Sequence, residues 1–264
     1  MFNPYHELKP AVRYGIGFAA FIAVLLVWSA LSGFEIVGPR KLPAPWEVVS
    51  AFFQLMAYNE AKESYLLFDA TLASVSRIGF AALVTLVIGL PIGILMGASP
   101  FVNAALGFLL DPFRSAPIVT VLPILVMWIG IGETLKVVFL FLGGVVYLIP
   151  MTRDAIAAVP RETHVLLKDL GGSDLEAIRL GVLPMAMPRI WDAITVSVSI
   201  MWTYITVAEY VNAESGLGAM IQNSKRFSAM DQVFAGIFVI IALALITNVL
   251  LVTMKRVLFP WARE

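Results

Sequence analysis

The sequence predicts an all-α polytopic membrane protein with about six transmembrane helices. Three observations carry that prediction. Of 264 residues, 60% are hydrophobic and only 14% charged, where a soluble domain of this size would carry roughly a quarter charged. Mean hydropathy is +0.89. Uncharged stretches of bilayer-spanning length recur along the chain, and they are too long for barrel strands. Helices are the remaining way to close every backbone hydrogen bond in lipid.

The first uncharged run is Tyr14–Phe34, 21 residues. A secretory h-region is shorter, about 7 to 15 residues, so the run reads as a retained span preceded by Lys9 and Arg13. The next run, Ile78 to Leu110, is broken at Ala98-Ser99-Pro100, because a residue before proline leaves the helical region. It gives a second span to about Gly97, beginning as early as Leu66, and a helix from near Phe101 leading into a third run, Ser115–Gly132. Pro117 and Pro123 interrupt that third run. Val137–Thr152, Ala193–Ala208 and Gln232–Met254 complete the six; the 16-residue runs are short, and their flanking charges can snorkel.

Basic residues set the orientation. With six spans, the side holding both termini, the short second loop and residues 153–192 carries ten Lys and Arg, and the other side carries six. Both termini are therefore expected in the cytoplasm. The organisation divides at residue 65: a tail, first span and external helix in 1–65, then a core membrane domain in 66–264. In the outer segment, Pro45 suits a first helical turn, and Val48, Val49, Phe52, Phe53 and Met56 recur at helical spacing. A short interfacial helix with Trp46 at headgroup level is expected there.

Several chemistries are excluded. The chain has no cysteine, which removes disulfides, thiolate metal sites and cysteine nucleophiles. His6 and His164 lie far apart and suggest no metal centre, and His164 reads as a solvated loop residue. Eighteen basic against 18 acidic residues give no electrostatic case for nucleic acid. No Walker lysine motif occurs, so the chain does not hydrolyse ATP by that machinery, and Gly130-x-Gly132 and Gly216-x-Gly218 lack the strand–turn–helix setting of phosphate loops.

The segment from Arg153 to Asp192 is too patterned for a linker. Val165, Leu166, Leu167 and Leu170 form an apolar stripe ended by Gly171-Gly172, a helix stop. Ser173 or Asp174 caps a second helix with Glu176 in its first turn. That helix is expected to stop before Leu183-Pro184, with Leu175, Ile178 and Val182 as one apolar stripe. Two short helices outside the membrane need a surface to pack against, their own bundle or another protein.

Here the sequence resembles the ABC importer permeases. Their cytoplasmic motif is Glu-Ala-Ala, three residues, Gly, nine residues, then Ile-x-Leu-Pro. With Gly171 in the glycine place, Leu183 and Pro184 fall on the closing pair, while Val165-Leu166-Leu167 and Gly181 depart from the pattern. Arg77-Ile78-Gly79-Phe80, Gly89 to Gly97, Leu110 to Arg114, Leu122-Pro123-Ile124, Trp128 to Glu133, and Ala208-Glu209 with Glu214 to Gly218 are similar to the nitrate, taurine and alkanesulfonate type of these permeases. The resemblance covers about residues 66–260. It implies a type I importer fold in the bacterial inner membrane, and a subunit that is not an enzyme. The implied partners are a second permease copy, two cytoplasmic ATPases that hold ATP and Mg, and an external substrate-binding protein. The solute would be a small anion such as nitrate, a sulfonate or bicarbonate. The ATPase-coupling residues would be Lys168, Asp169, Gly171, Asp174, Leu175, Glu176, Ile178, Arg179 and Pro184.

For the translocation path the candidates are Trp128, Met201, Thr203, Tyr204 and Glu209. Ser197, Ser199, Thr203, Tyr204 and Thr206 make the fifth span the most polar; they either line a route or bond neighbouring backbone. Glu209 either lines a gate or caps the loop 214–218. Asp111 and Arg114, three apart, are expected to pair with each other near the headgroups. Two other readings are a self-sufficient secondary transporter or channel and a membrane enzyme. The first calls for an ionisable residue deep in the membrane, and the apolar runs hold none. The second calls for clustered acids or histidines at one membrane face.

Overall fold

The computed structural model describes residues 9–38, 41–59, 64–211 and 214–262. His6 and the basic residues Arg40, Lys62 and Arg263 used in the topology count lie outside them. Residue contacts divide the chain into two compact units, Met1–Leu66 with Ile221–Ile237, and Leu67–Met220 with Phe238–Glu264.

In the first unit, helix α1 (Pro10–Gly33) starts on a proline whose missing N–H is no loss in a first turn. Its apolar side chains are almost entirely exposed, as expected of a surface that meets lipid rather than water. Trp28 is its anchor. The indole Nε1 donates to Pro43 O at 2.9 Å and the ring lies 5.9 Å from Phe234. The expected outer helix is α2 (Pro45–Met56). Its Glu47 carboxylate accepts from Ala44 N at 2.8 Å, closing the first turn. Val48, Ala51 and Leu55 are the buried face, and Trp46, Val49, Phe53 and Met56 are exposed.

The second unit is the bundle. Helix α3 (Leu66–Ala98) begins at the earlier of the two expected starts and ends where Ser99-Pro100 forces an extended residue. Then follow α4 (Pro100–Ser115), a 3₁₀ turn at Ile118–Val121, and α5 (Leu122–Ile129). The third span is therefore not one rod: α4 and the following segment meet at 99°. Pro117 supplies no N–H and Ala116 is extended, which ends α4. At 1.5 Å per residue α4 reaches about 24 Å and α5 about 12 Å, so neither alone crosses a hydrocarbon core of about 30 Å. Helix α6 (Glu133–Ala157) and helix α9 (Leu183–Val211) form the centre. Helices α10 (Leu217–Arg226) and α11 (Met230–Leu258) close the chain, and their stretch Ile221–Ile237 belongs to the first unit. Five helices among the described residues are long and apolar enough to cross a membrane, six if the bent pair is one span.

Small residues set how closely these helices approach. A Cβ at Gly143 or Gly144 of α6 would overlap Tyr204 or Met201 of α9, and Ser197 Oγ donates to Gly144 O at 3.0 Å. On α3, Gly89, Gly93 and Gly97 face Leu148, Thr152 and Ile156 of α6. The i, i+4, i+8 spacing on both helices makes one close seam, the packing expected where lipid offers no hydrophobic drive. Ile78, Ala81, Leu140, Leu148, Ile190 and Met201 are among the buried residues that fill the core.

The charges at the α4 end pair across elements rather than locally. Asp111 accepts from Arg153 Nη1 at 2.9 Å, and Arg114 lies 3.5 Å from Asp154. The expected Asp111–Arg114 pair is not made. Arg153 sits at the end of α6, which α4 packs against, and its guanidinium reaches Asp111 from there.

Candidate functional site

Residues 161–182 form a helical hairpin. Helix α7 (Arg161–Asp169) ends on Gly171, whose φ of +90° is a left-handed conformation that disfavours a side chain. Gly171 N donates to Lys168 O at 2.9 Å and Gly172 N to Leu167 O at 3.0 Å, closing the open carbonyls. Ser173 is the next cap. Its Oγ accepts from Glu176 N at 3.3 Å while Glu176 accepts from Ser173 N at 2.8 Å. Helix α8 (Asp174–Ala177) follows.

The second helix does not stop before Leu183-Pro184. It passes through a π turn, Ile178–Val182, directly into α9, one continuous helix from Asp174 to Val211. The reason lies in the proline. Pro184 has no N–H to give, and in an α-helix its ring would strike the carbonyl four residues back. Widening the turn so that Leu183 N reaches Ile178 O relieves that clash without breaking the rod. The expected stripe divides as a result. Val182 is buried in the bundle core, Ile178 is half-buried, and only Leu175 is open.

The exposed apolar surface lies elsewhere on the hairpin. Val165 and Leu166 on α7 and Leu170 just after it are open, with Leu170 and Leu175 at 75% and 74% exposure and Leu180 beside them. Leu167, Leu170, Gly171, Gly172, Glu176 and Leu180 line a cavity of about 290 Å³. Two contacts lock the helices together. Asp174 Oδ1 lies 3.0 Å from Lys168 Nζ and 3.2 Å from His164 Nε2, so His164 is a half-buried helical clamp rather than a solvated loop residue. Leu167 fills the space over Gly181, where a Cβ would overlap it. Asp169, Glu176, Arg179 and Pro184 are exposed.

The residues expected on the translocation path separate by face. Met201 and Tyr204 pack against Gly144 and Gly143 of α6, with Tyr204 5.4 Å from the Phe139 ring. Ser199 and Thr203 lie on another, exposed face of α9, four residues apart, and Thr206 is partly open. Trp128, at the end of α5, is 75% exposed.

Glu209 is fully buried, with the loop 214–218 folded over it. It accepts from Arg77 Nη1 at 2.6 Å, from Ser74 Oγ at 2.8 and 3.0 Å, and from Gly218 N at 2.8 Å. Arg77 holds Glu133 with two bonds, Nε at 2.6 Å and Nη2 at 2.7 Å, and Lys136 Nζ reaches Glu133 at 2.9 Å. Arg77 also donates to Ser215 O at 3.0 Å. Two cations and two carboxylates balance, so the cluster is neutral. Ser74 Oγ accepts from Leu217 N at 2.9 Å, and Gly216, at φ +104°, lies so close to Glu209 that a side chain there would collide with its carboxylate. Arg77 lies inside α3, at the border of the uncharged run that begins at Ile78, and is only 6% exposed. Sequence spacing could not assemble this cluster, since Arg77 is 56 residues from Glu133 and 132 from Glu209. The available signal was that each of these charges borders an uncharged run.

Among the described residues, five helices long and apolar enough to cross a membrane, six if the bent pair is one span, define a multi-pass membrane protein. The family model described as "Binding-protein-dependent transport system inner membrane component" matches residues 89–264. The chain belongs to that family: it is a transmembrane permease subunit of a binding-protein-dependent ABC importer, an inner-membrane component. It is 32% identical to the taurine transport system permease protein TauC of Escherichia coli, over 92% of this chain and 88% of that protein. It is 29% identical to the putative aliphatic sulfonates transport permease protein SsuC of Bacillus subtilis, over 94% and 89%. With the nitrate import permease protein NrtB of Synechococcus elongatus it shares 24%, over 99% and 94%. Among solved structures, a chain of the MetNI methionine ABC transporter in an inward-facing conformation superposes with a TM-score of 0.66 at 19% identity, over 75% of this chain and 98% of that one. That likeness establishes the shared fold.

Proposed function

We propose that this subunit imports a small anion of the sulfonate or nitrate type, working as a pair of identical copies. Each copy docks a cytoplasmic ATPase, which holds ATP and Mg, on the hairpin 161–182. An external binding protein delivers the solute to the opposite side, where Glu209 lies, and both termini face the cytoplasm. The relatives named for taurine, sulfonates and nitrate support the solute class.

One observation carries the mechanism. The second arm of the hairpin and the hydroxyl face belong to a single helix, Asp174–Val211, of 38 residues, about 57 Å at 1.5 Å per residue. That is nearly twice the hydrocarbon thickness of about 30 Å. No loop interrupts the path from the hairpin to the hydroxyl face, so a displacement of the hairpin is carried along one helix. It moves Ser199 and Thr203, and with them Glu209 at the far end. Ser199 Oγ donates to Thr195 O of its own helix at 2.8 Å, and the exposed Thr203 hydroxyl faces the second copy across the solute route. ATP binding shifts the permease equilibrium only through different contacts with its two states; the open leucines of α7 and α8 are those contacts.

The test is uptake of radiolabelled taurine or nitrate in cells lacking their own permeases for these solutes. Uptake should occur only when this chain, its ATPase and its binding protein are expressed together. Uptake by this chain alone would establish a self-sufficient secondary transporter instead.

A further inference from the structure

A second charged site lies where α9 and α11 come together, at the same end of the bundle as the hairpin. Lys255 Nζ bonds both Asp192 oxygens, at 2.8 and 2.7 Å, and Trp191 Nε1 donates to Leu251 O at 2.8 Å. These contacts bring the end of α11 beside the start of α9. Between them is a cavity of about 830 Å³, lined by Arg189, Asp192, Lys255, Arg256, Phe259 and other residues. Lys255 saturates Asp192. The guanidinium groups of Arg189 and Arg256 have no ion-pair partner among the described residues, and both residues are exposed. Three cations against one carboxylate leave two positive charges.

The surroundings place this cavity at the bilayer surface. The uncharged run Gln232–Met254 is 23 residues, about 35 Å of helix, enough to cross the core before Lys255 begins. Beyond it Pro260 starts a 3₁₀ turn. Phe259, buried, packs edge-on against Trp191 at 6.0 Å and Trp261 at 5.5 Å, and Trp261 is 66% exposed. Tryptophans with an apolar body and an open edge sit at headgroup level. The cavity thus has an apolar side formed by Val252, Met185 and Phe259 and a cationic rim.

We infer that the α9–α11 cavity binds the headgroup of an anionic phospholipid. The Arg189 and Arg256 guanidinium groups hold phosphodiester oxygens, and the acyl chains follow the apolar side of α11. Paired arginines match phosphate geometry with two parallel N–H donors, and basic pockets between helices at the membrane surface select anionic lipid. Two uncompensated charges suit one or two phosphodiesters and disfavour a zwitterionic headgroup, whose ammonium would face the arginines. The site rests on side chains separate from the hairpin leucines and from Thr203, so it stands or falls apart from the transport route.

Native mass spectrometry of the full chain in detergent, with phosphatidylglycerol or phosphatidylcholine added at equal concentration, tests this. The wild-type chain should retain phosphatidylglycerol over phosphatidylcholine by roughly tenfold. Arg189→Gln with Arg256→Gln should abolish that preference while leaving phosphatidylcholine adducts unchanged. Asp192→Asn should increase phosphatidylglycerol retention, a gain that misfolding cannot imitate. Glycerol 3-phosphate at the same concentration should not compete. Equal retention of both lipids by the wild type, unchanged preference in the double variant, or a fall in Asp192→Asn would overturn the proposal. Displacement by glycerol 3-phosphate would do so as well, by making it a site for a free soluble anion.

Discussion

The Arg77 cluster offers a quantitative test of how the bundle is held at the end opposite the hairpin. Consider Glu209→Gln. The side chain keeps its size, but one oxygen becomes an NH₂ that cannot accept from Arg77 or Gly218, and the negative charge is lost. Glu209 is fully buried and takes bonds from Arg77, Ser74 and Gly218. Removing one partner of such a pair costs about 3–5 kcal/mol, because the remaining charge stays desolvated. Arg77 keeps Glu133 through two bonds, which puts the expected loss near the lower limit, about 3 kcal/mol. Arg77→Met leaves both Glu133 and Glu209 short of a cation and should cost more. Because both single variants break the same contact, the double variant should fall short of their sum by about 2 kcal/mol. Equilibrium unfolding in mixed micelles, followed by tryptophan fluorescence, gives all three values. Additive losses, or single losses below about 1 kcal/mol, would show that the pair is solvated and the reasoning wrong.

Two further expectations follow from the same structure. Thr203→Trp should cut solute uptake while leaving stability unchanged, because its side chain is exposed, whereas Tyr204→Ala should destabilise the bundle by about 3 kcal/mol through loss of packing on Gly143 and Phe139; equal effects on uptake and stability in both would remove the two-faced description of α9. For topology, single cysteines placed in this cysteine-free chain should react with an impermeant reagent in sealed cells at Asn59 and not at Ser173, and the reverse pattern would invert the orientation.

Much of this architecture is legible in the amino-acid order, and the unread parts share a cause. The breaks at Ser99-Pro100 and Pro117, the Gly171 stop and the Ser173–Glu176 cap depend on neighbouring residues, and each stands where local chemistry places it. Pro184 shows the limit of that reasoning. A proline reads as a helix break, yet the π turn accommodates it because the bundle holds Val182 and Ala186 on either side. Continuity of the rod, the burial of Val182 and the openness of Leu170 then follow together. Long-range pairing is the other blind spot. Asp111 and Arg114 share a helical face, but Arg153 and Asp154 of α6 come closer in space. Ser74, Arg77, Glu133, Lys136 and Glu209 meet only once three helices are packed, so their spacing carries no signal. The division of the path residues is a matter of phase: Thr203 and Tyr204 are adjacent in sequence and about 100° apart around the helix, which sends one outward and the other onto Gly143.

Transport coupled to ATP requires that the hairpin leucines hold the ATPase. Leu170→Asp and Leu175→Asp place charge on the open surface of the hairpin, outside the core, so the spans should insert normally. If these leucines are central anchors, each change costs about 2 kcal/mol, a loss of roughly thirtyfold in affinity. Gly171→Glu should act alongside them by straining the left-handed residue that joins the two helices. Co-purification of the ATPase with the tagged chain reads the outcome. Wild type and Thr203→Trp should retain the ATPase while the leucine variants release it and lose uptake; retention of the ATPase with normal uptake in both leucine variants would rule out docking on these leucines.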